Sequence, residues 1–82
     1  MPPPLSCGMD RAAMQERLMV AEARVREGKR RVALQQKLVR ELDALDEDSR
    51  AARKVLAQYE ESQASLVADR DRLLKELSGQ AN

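Results

Sequence analysis

Histidine is absent from this chain of 82 residues, and Cys7 is its only cysteine. A zinc site of cysteine and histidine cannot form within one such chain, and neither can a serine–histidine or cysteine–histidine nucleophilic pair. A single cysteine also excludes an internal disulfide, which fits a reducing compartment. We therefore predict a non-enzymatic protein with no catalytic residues, no metal site and no cofactor, and we interpret Cys7 as a plain thiol.

Aromatic residues and long apolar runs are also scarce. Tyr59 is the one aromatic residue, whereas a small β-sandwich or barrel needs aromatic and β-branched residues to fill its core. No stretch approaches the ~20 apolar residues of a membrane span. The first ten residues, MPPPLSCGMD, lack the basic region and the apolar run of a secretion signal. We therefore expect no membrane span and a cytoplasmic location.

Charge of neither sign dominates. The chain carries 15 basic and 14 acidic residues, for a net charge of +1, so its total charge favours neither nucleic acid nor an anionic membrane. Charged residues make up 35% of the chain, and alanine, leucine, arginine, glutamate and glutamine are abundant. This composition is typical of long helices and coiled coils and predicts an all-α fold.

Apolar or small residues recur with heptad spacing along the first half of the chain. The steps between them alternate between four and three residues, and one member, Gln35, is polar. We predict a first helix over about residues 9–45, after a flexible tail at 1–8 that contains three prolines. The positions are Met14, Leu18, Ala21, Val25, Gly28, Val32, Gln35, Val39 and Leu42.

The segment LDALDEDSR interrupts this pattern with four acids in six residues. Such a segment is a poor helix interior and a good helix start, and either Asp48 or Ser49 is suited to cap the new helix. We predict a turn at about residues 45–48.

A second stripe with the same spacing follows the turn. It carries polar residues at Gln63 and Arg70, and Gly79 stands just past its end, where a glycine commonly stops a helix. We predict a second helix over about residues 49–78 and a C-terminal tail at 79–82. The stripe consists of Ala52, Leu56, Tyr59, Gln63, Leu66, Arg70, Leu73 and Leu77.

Two helices joined by about four residues fold back on each other, so we predict an antiparallel coiled-coil hairpin over residues 9–78. A turn near residue 47 places Gly28 opposite Leu66 and Gln35 opposite Tyr59. The stem of Gln63 then covers helix 1 while its polar tip reaches water. The predicted packing residues are Leu18, Ala21, Val25, Gly28, Val32, Val39, Leu42, Leu56, Tyr59, Leu66, Leu73 and Leu77.

Gly28 is an unusual residue for the middle of a helix, where glycine costs roughly 1 kcal/mol relative to alanine. We interpret it as a hole that receives Leu66 and lets the two helices approach closely. A kink in helix 1 and close approach of a nucleic acid are the alternatives.

Several apolar residues stay off the predicted seam. A two-helix hairpin buries one seam, and chains with so small a core usually need a second layer. The favoured function is therefore a small helical interaction or oligomerisation module. Its expected partner is either a second copy of the chain, in a dimer or four-helix bundle, or a helix of another protein. The candidate partner surface consists of Leu34, Leu38, Leu45, Val67 and Leu74.

Residues 24–40 form a basic run with seven basic residues and one acid. Successive side chains of a helix point about 100° apart, so this run spreads around most of the circumference. A solvated helix face is the ordinary interpretation. The alternative function is a nucleic-acid-associated accessory protein, with Arg24, Lys29, Arg30 and Arg31 as the candidate phosphate contacts.

Three segments resemble a group of short proteins from rhizobial and related alphaproteobacteria. They are V-x-E-G-x-R-x-V-A-x-Q at residues 25–35, L-A-x-[FY]-E-E-x-Q at 56–63 and VADRDRLLKEL at 67–77. The resemblance implies a bacterial origin and a two-helix chain. It implies no activity, because none is established for the group.

The chain departs from that group at two places. The group usually has Gly-His-Asp where this chain has Asp46, Glu47 and Asp48, and a histidine where Leu66 stands. Histidine-dependent properties of the group therefore do not carry over. Since Asp46 takes the place of a glycine, we expect it to adopt the left-handed conformation.

Overall fold

The computed structural model describes the backbone of residues 7–80 and the side chains of residues 11–79. Two helices make up this part of the chain, α1 at Cys7–Ala44 and α2 at Arg50–Gln80. They contact each other along their length in a rod of 65 × 23 × 15 Å. The predicted all-α hairpin of two long helices is confirmed.

The N-terminal bound of α1 differs from the prediction. The helix begins at Cys7, two residues before the predicted start. Proline disfavours a helix interior but not the residues ahead of a helix. The prolines at positions 2–4 therefore do not prevent Cys7 and Gly8 from being helical. The rest of the predicted N-terminal tail, residues 1–6, lies outside the described residues.

The C-terminal bound of α2 differs as well. The helix continues through Gly79 to Gln80, because glycine lowers helix stability by only about 1 kcal/mol and does not oblige a helix to stop. Of the predicted C-terminal tail, residues 81–82 lie outside the described residues.

The C-terminus of α1 is closed by a Schellman motif. The N–H of Glu47 donates to the carbonyl of Leu42 at 2.8 Å, and the N–H of Asp46 donates to the carbonyl of Asp43 at 3.1 Å. Asp46 has a φ of 58°, the left-handed conformation that this motif requires and that glycine usually supplies. The expected left-handed conformation of Asp46 is confirmed.

Two residues cap the N-terminus of α2, one through its backbone and the other through its side chain. The carbonyl of Ser49 accepts the first intrahelical hydrogen bond, from the N–H of Arg53 at 2.9 Å, so Ser49 holds the N-cap position of the backbone. The carboxylate of Asp48 accepts from the N–H of Arg50 at 3.0 Å. Both predicted capping residues therefore act at this terminus.

The interface between α1 and α2 is a thin apolar seam. Every residue of the two predicted stripes is buried or half-buried, except Tyr59, which is exposed. The fully apolar positions with the least exposure are Ala21, Val39, Ala52 and Leu77. Among the described residues no large side chain is completely buried, so the hairpin has a seam rather than a closed core.

Candidate interaction surface

Two glutamine amides bridge the helices at the seam. Gln63 on α2 donates through Nε2 to the carbonyl of Val25 on α1 at 2.8 Å. Gln35 on α1 donates through Nε2 to the carbonyl of Ala52 on α2 at 2.9 Å. Each helix thus contributes one amide to the backbone of the other, which ties their relative register at two points, as polar core residues do in coiled coils.

These contacts correct one detail of the predicted packing and add another. The tip of Gln63 does not reach water, since its Nε2 is bonded to Val25 and its Oε1 is buried without a hydrogen-bond partner. The hydrogen bond of Gln35 goes to Ala52, seven residues before the predicted neighbour Tyr59. A side chain long enough to cross the seam reaches a carbonyl that heptad spacing alone does not indicate.

Gly28 is buried where α2 crosses it. A methyl group built on its Cα would overlap Oε1 of Gln63 and lie 3.3 Å from Cδ1 of Leu66. Gly28 therefore lies under both side chains, whereas the sequence indicated Leu66 alone. Its left-handed freedom is not used, because no glycine of the described residues has a positive φ.

A cluster of polar side chains fastens the turn between the helices. The hydroxyl of Ser49, which is buried, donates to Oδ1 of Asp43 at 2.7 Å and accepts from Nε of Arg53 at 3.1 Å. The guanidinium of Arg53 also pairs with Oδ2 of Asp43. This pairing offsets the negative charge of Asp43 near the negative end of the α1 dipole.

Asp48 and Arg50 form an exposed ion pair at the start of α2, with 2.9 Å between Nη2 and Oδ2. The hydrogen bonds from the side chain and backbone N–H of Arg50 lower the pKa of the Asp48 carboxyl below its ordinary value, and the same pair raises the pKa of Arg50. The pair favours the charged form of both groups.

A groove of about 720 Å³ runs along one side of the seam, toward the helix ends opposite the turn. Its apolar wall comes from both helices, and arginine and acidic side chains stand at its rims. The groove is lined by Ala13, Glu16, Arg17, Val20, Ala21, Arg24, Leu66, Asp69, Arg72, Leu73 and Glu76.

Three exposed leucines, two in α1 and Leu45 just past its end, border the seam on the groove side, nearer the turn. Leu34 is 62% exposed, Leu38 42% and Leu45 72%. Leu38 and Leu45 lie 14 and 21 residues after Arg24, which lines the groove, and whole heptads preserve the face of a helix in such a pair. The predicted partner surface therefore has its three leucines before the turn together, on the side of the hairpin that carries the groove; these three are called the α1 patch.

The α2 members of the predicted partner surface lie on the other side of the seam. Val67 and Leu74 follow Arg53 by 14 and 21 residues, and Arg53 meets Asp43 on the side away from the groove. Val67 is half-buried and Leu74 is exposed. The five predicted residues thus form two separate patches, of which the α1 patch is the larger.

The four candidate phosphate contacts are all exposed, but they do not share one surface. Arg24 lines the large groove, and Arg31 lines a smaller hollow beside Gly28 and Tyr59. Arg31 also lies 4.0 Å from Glu27, the intrahelical pair that its spacing indicates. Lys29 and Arg30 occupy heptad positions that point away from the groove.

Sequence reasoning missed the two glutamine bridges and the Ser49 cluster. The signal for the bridges was present, because Gln35 and Gln63 are polar residues at core positions of their heptads. The Ser49 cluster had no such signal, since it depends on how closely Asp43 and Arg53 approach across the turn.

Comparisons with models of known protein families, with curated proteins and with solved structures gave no match. The resemblance to the alphaproteobacterial group therefore stays a prediction. In residues 7–80, neither helix has an apolar stretch long enough to cross a membrane. The described part of the chain also contains no group of three or more acidic, cysteine or histidine side chains placed to hold a metal ion.

Proposed function

We propose that this chain is a small helical self-association module, which functions by assembling with further copies of itself. The observation that carries the proposal is the patch of Leu34, Leu38 and Leu45, exposed on the side of the hairpin that also carries the groove. Apolar side chains that line up on one face of a soluble rod favour a protein contact.

The thinness of the seam supports the same function. The two helices bury few apolar residues against each other, and none of the large ones completely. A small chain with one seam gains stability when a second layer covers its remaining apolar surface. A second hairpin supplies such a layer with no other component.

The alternative is an accessory protein that binds nucleic acid through the basic run of α1. Its support is the exposure of Arg24, Lys29, Arg30 and Arg31. Their spread around the helix favours a solvated surface, because a phosphate footprint gathers its cations on one face. The scarcity of aromatic side chains also disfavours this function, because Tyr59 is the single aromatic residue of the chain and no stacking aromatic accompanies the basic run.

Sedimentation equilibrium from low to high micromolar concentration tests the proposal. We expect the wild-type chain to form a dimer or larger assembly, and Leu38→Lys to shift it toward monomer while its helical circular dichroism is retained. Ala23→Lys is the matched control, since Ala23 is an exposed alanine of α1 on the face away from the seam and the groove. It should assemble like the wild type.

A wild-type chain that stays monomeric throughout would contradict the proposal. Titration with a duplex oligonucleotide at low and moderate salt then tests the alternative. Binding that weakens steeply with salt, and that Arg30→Glu reduces, would favour the nucleic-acid function instead.

A further inference from the structure

A second heptad stripe runs along α1 and one residue past its end, beside the seam. Its steps again alternate between four and three residues, and all ten of its members are exposed. We name it the outer stripe. It consists of Ala13, Arg17, Val20, Arg24, Glu27, Arg31, Leu34, Leu38, Glu41 and Leu45.

The outer stripe is complementary to its own reverse. When it is aligned antiparallel to a second copy with residue numbers that sum to 58, Arg17 meets Glu41 and Glu27 meets Arg31, so that opposite charges face each other. Val20 meets Leu38 in the same register, and the small Ala13 meets the large Leu45. A parallel alignment places Arg17, Arg24 and Arg31 each against the same residue of the second copy. Repulsion between these like charges disfavours the parallel alignment.

The groove gives independent support for this register. Four members of the outer stripe line it, namely Ala13, Arg17, Val20 and Arg24, with Leu66 and Leu73 of α2 as further apolar wall. In the antiparallel register Ala13, Val20 and Arg24 lie against Leu45, Leu38 and Leu34 of the second copy, and Arg17 lies against Glu41. The protruding leucines of one chain therefore meet the groove of the other, and the reverse contact forms at the same time.

We infer that two copies of this chain pack α1 against α1, antiparallel, about a two-fold axis near residue 29. The inference rests on the proposed self-association and specifies its surface. Such a contact is isologous, as two-fold dimers require, because one face of the hairpin carries both the exposed leucines and the groove that receives them. Around the axis, Glu27 and Arg31, which already pair within α1 at 4.0 Å, meet the same two residues of the second copy.

Disulfide crosslinking tests the register. In a Cys7→Ser background, one variant carries Val20→Cys and another Leu38→Cys, and the two are oxidised mildly, mixed and separately. Residue 20 of one chain lies against residue 38 of the other in this register, while two copies of residue 20 are about 27 Å apart along the helix, too far for a disulfide. We expect a crosslinked dimer from the mixture and none from either variant alone.

Charge reversal provides the second test. Arg17→Glu and Glu41→Arg each place like charges together twice in the dimer. Each substitution should therefore raise the dissociation constant of the dimer about tenfold. The double variant should recover most of that loss. Arg26→Glu, an exposed reversal off the outer stripe, is the matched control and should leave dimerisation unchanged.

The outcomes separate the two proposals. A chain that sediments as a monomer would contradict self-association itself. A dimer that crosslinks through identical positions, or in which the double charge reversal gives no recovery, would leave self-association standing and overturn the antiparallel α1–α1 register.

Discussion

The side chain of Gln63 lies across the bare backbone of Gly28, with its Nε2 donating to the carbonyl of Val25 three residues earlier on α1. Glycine at position 28 is the condition for this contact, because a Cβ there would occupy the place of the Gln63 carbonyl oxygen. Gly28 therefore allows the two helices to approach closely, and α1 continues through it as regular helix.

Gly28→Ala should lower the free energy of unfolding by about 1 kcal/mol. The methyl group gains up to about 1 kcal/mol in helix propensity but displaces a bonded amide from a filled contact, and such overpacking costs typically 1–3 kcal/mol. In a Gln63→Ala background the overlapping Gln63 amide is absent, so Gly28→Ala should stabilise the hairpin by roughly 0.5–1 kcal/mol. Urea melts of the four proteins give the coupling, and strict additivity would contradict the contact.

Asp46→Gly should stabilise the hairpin by up to about 1 kcal/mol. Asp46 holds a φ of 58° in the Schellman motif, where glycine carries no steric penalty from a Cβ. Thermal melts measure the change. Glu47→Gly, one residue later and outside the left-handed region, is the control and should not stabilise. A lower melting temperature for Asp46→Gly would contradict this description of the turn.

Ser49→Ala should destabilise the hairpin by about 1 kcal/mol. The hydroxyl bridges Asp43 and Arg53, and its loss leaves a buried position with no group to join them. Ser62→Ala, at an exposed position within α2, should be neutral or slightly stabilising, since alanine is the better helix former. Equal effects of the two substitutions, measured by denaturant unfolding, would exclude a structural role for the Ser49 cluster.

The Asp48–Arg50 pair should make stability fall in acid. Because the pair lowers the pKa of Asp48 below the ordinary value of 3.8, its contribution is present above that value and is lost as pH falls through the lowered pKa. Asp48→Asn keeps an acceptor for the Arg50 N–H and removes the titration. Its stability difference from the wild type should shrink in acid. A difference that stays constant from neutral pH into acid would contradict the pair's role.

Heptad spacing in the sequence predicted most of the fold, because residues that face a partner helix recur with the heptad period. The seam positions from Met14 to Leu77 are buried or half-buried as that spacing requires, with Tyr59 as the exception. The left-handed conformation of Asp46 was predicted from the resemblance, because the group that the chain resembles has glycine at that place and aspartate tolerates this conformation better than most residues.

The contacts that depend on distances across the seam were not predictable in this way. The hydrogen bond from Gln35 to Ala52 and the position of Gln63 over Gly28 depend on the register to within one helical turn, which the short turn leaves open. The start of α1 at Cys7 was missed because proline limits only the helix that includes it.

Small-angle X-ray scattering of the full chain tests the central claim, that two hairpins lie side by side and antiparallel along α1. A single hairpin has a mass of 9.2 kDa and a length of 65 Å over its described residues. An axis near residue 29 offsets the midpoints of the two α1 helices by about 10 Å, at 1.5 Å per residue. We expect twice the mass of one chain in a particle only about 10 Å longer than one hairpin. The mass of one chain at high concentration, or a particle of nearly doubled length, would contradict the account.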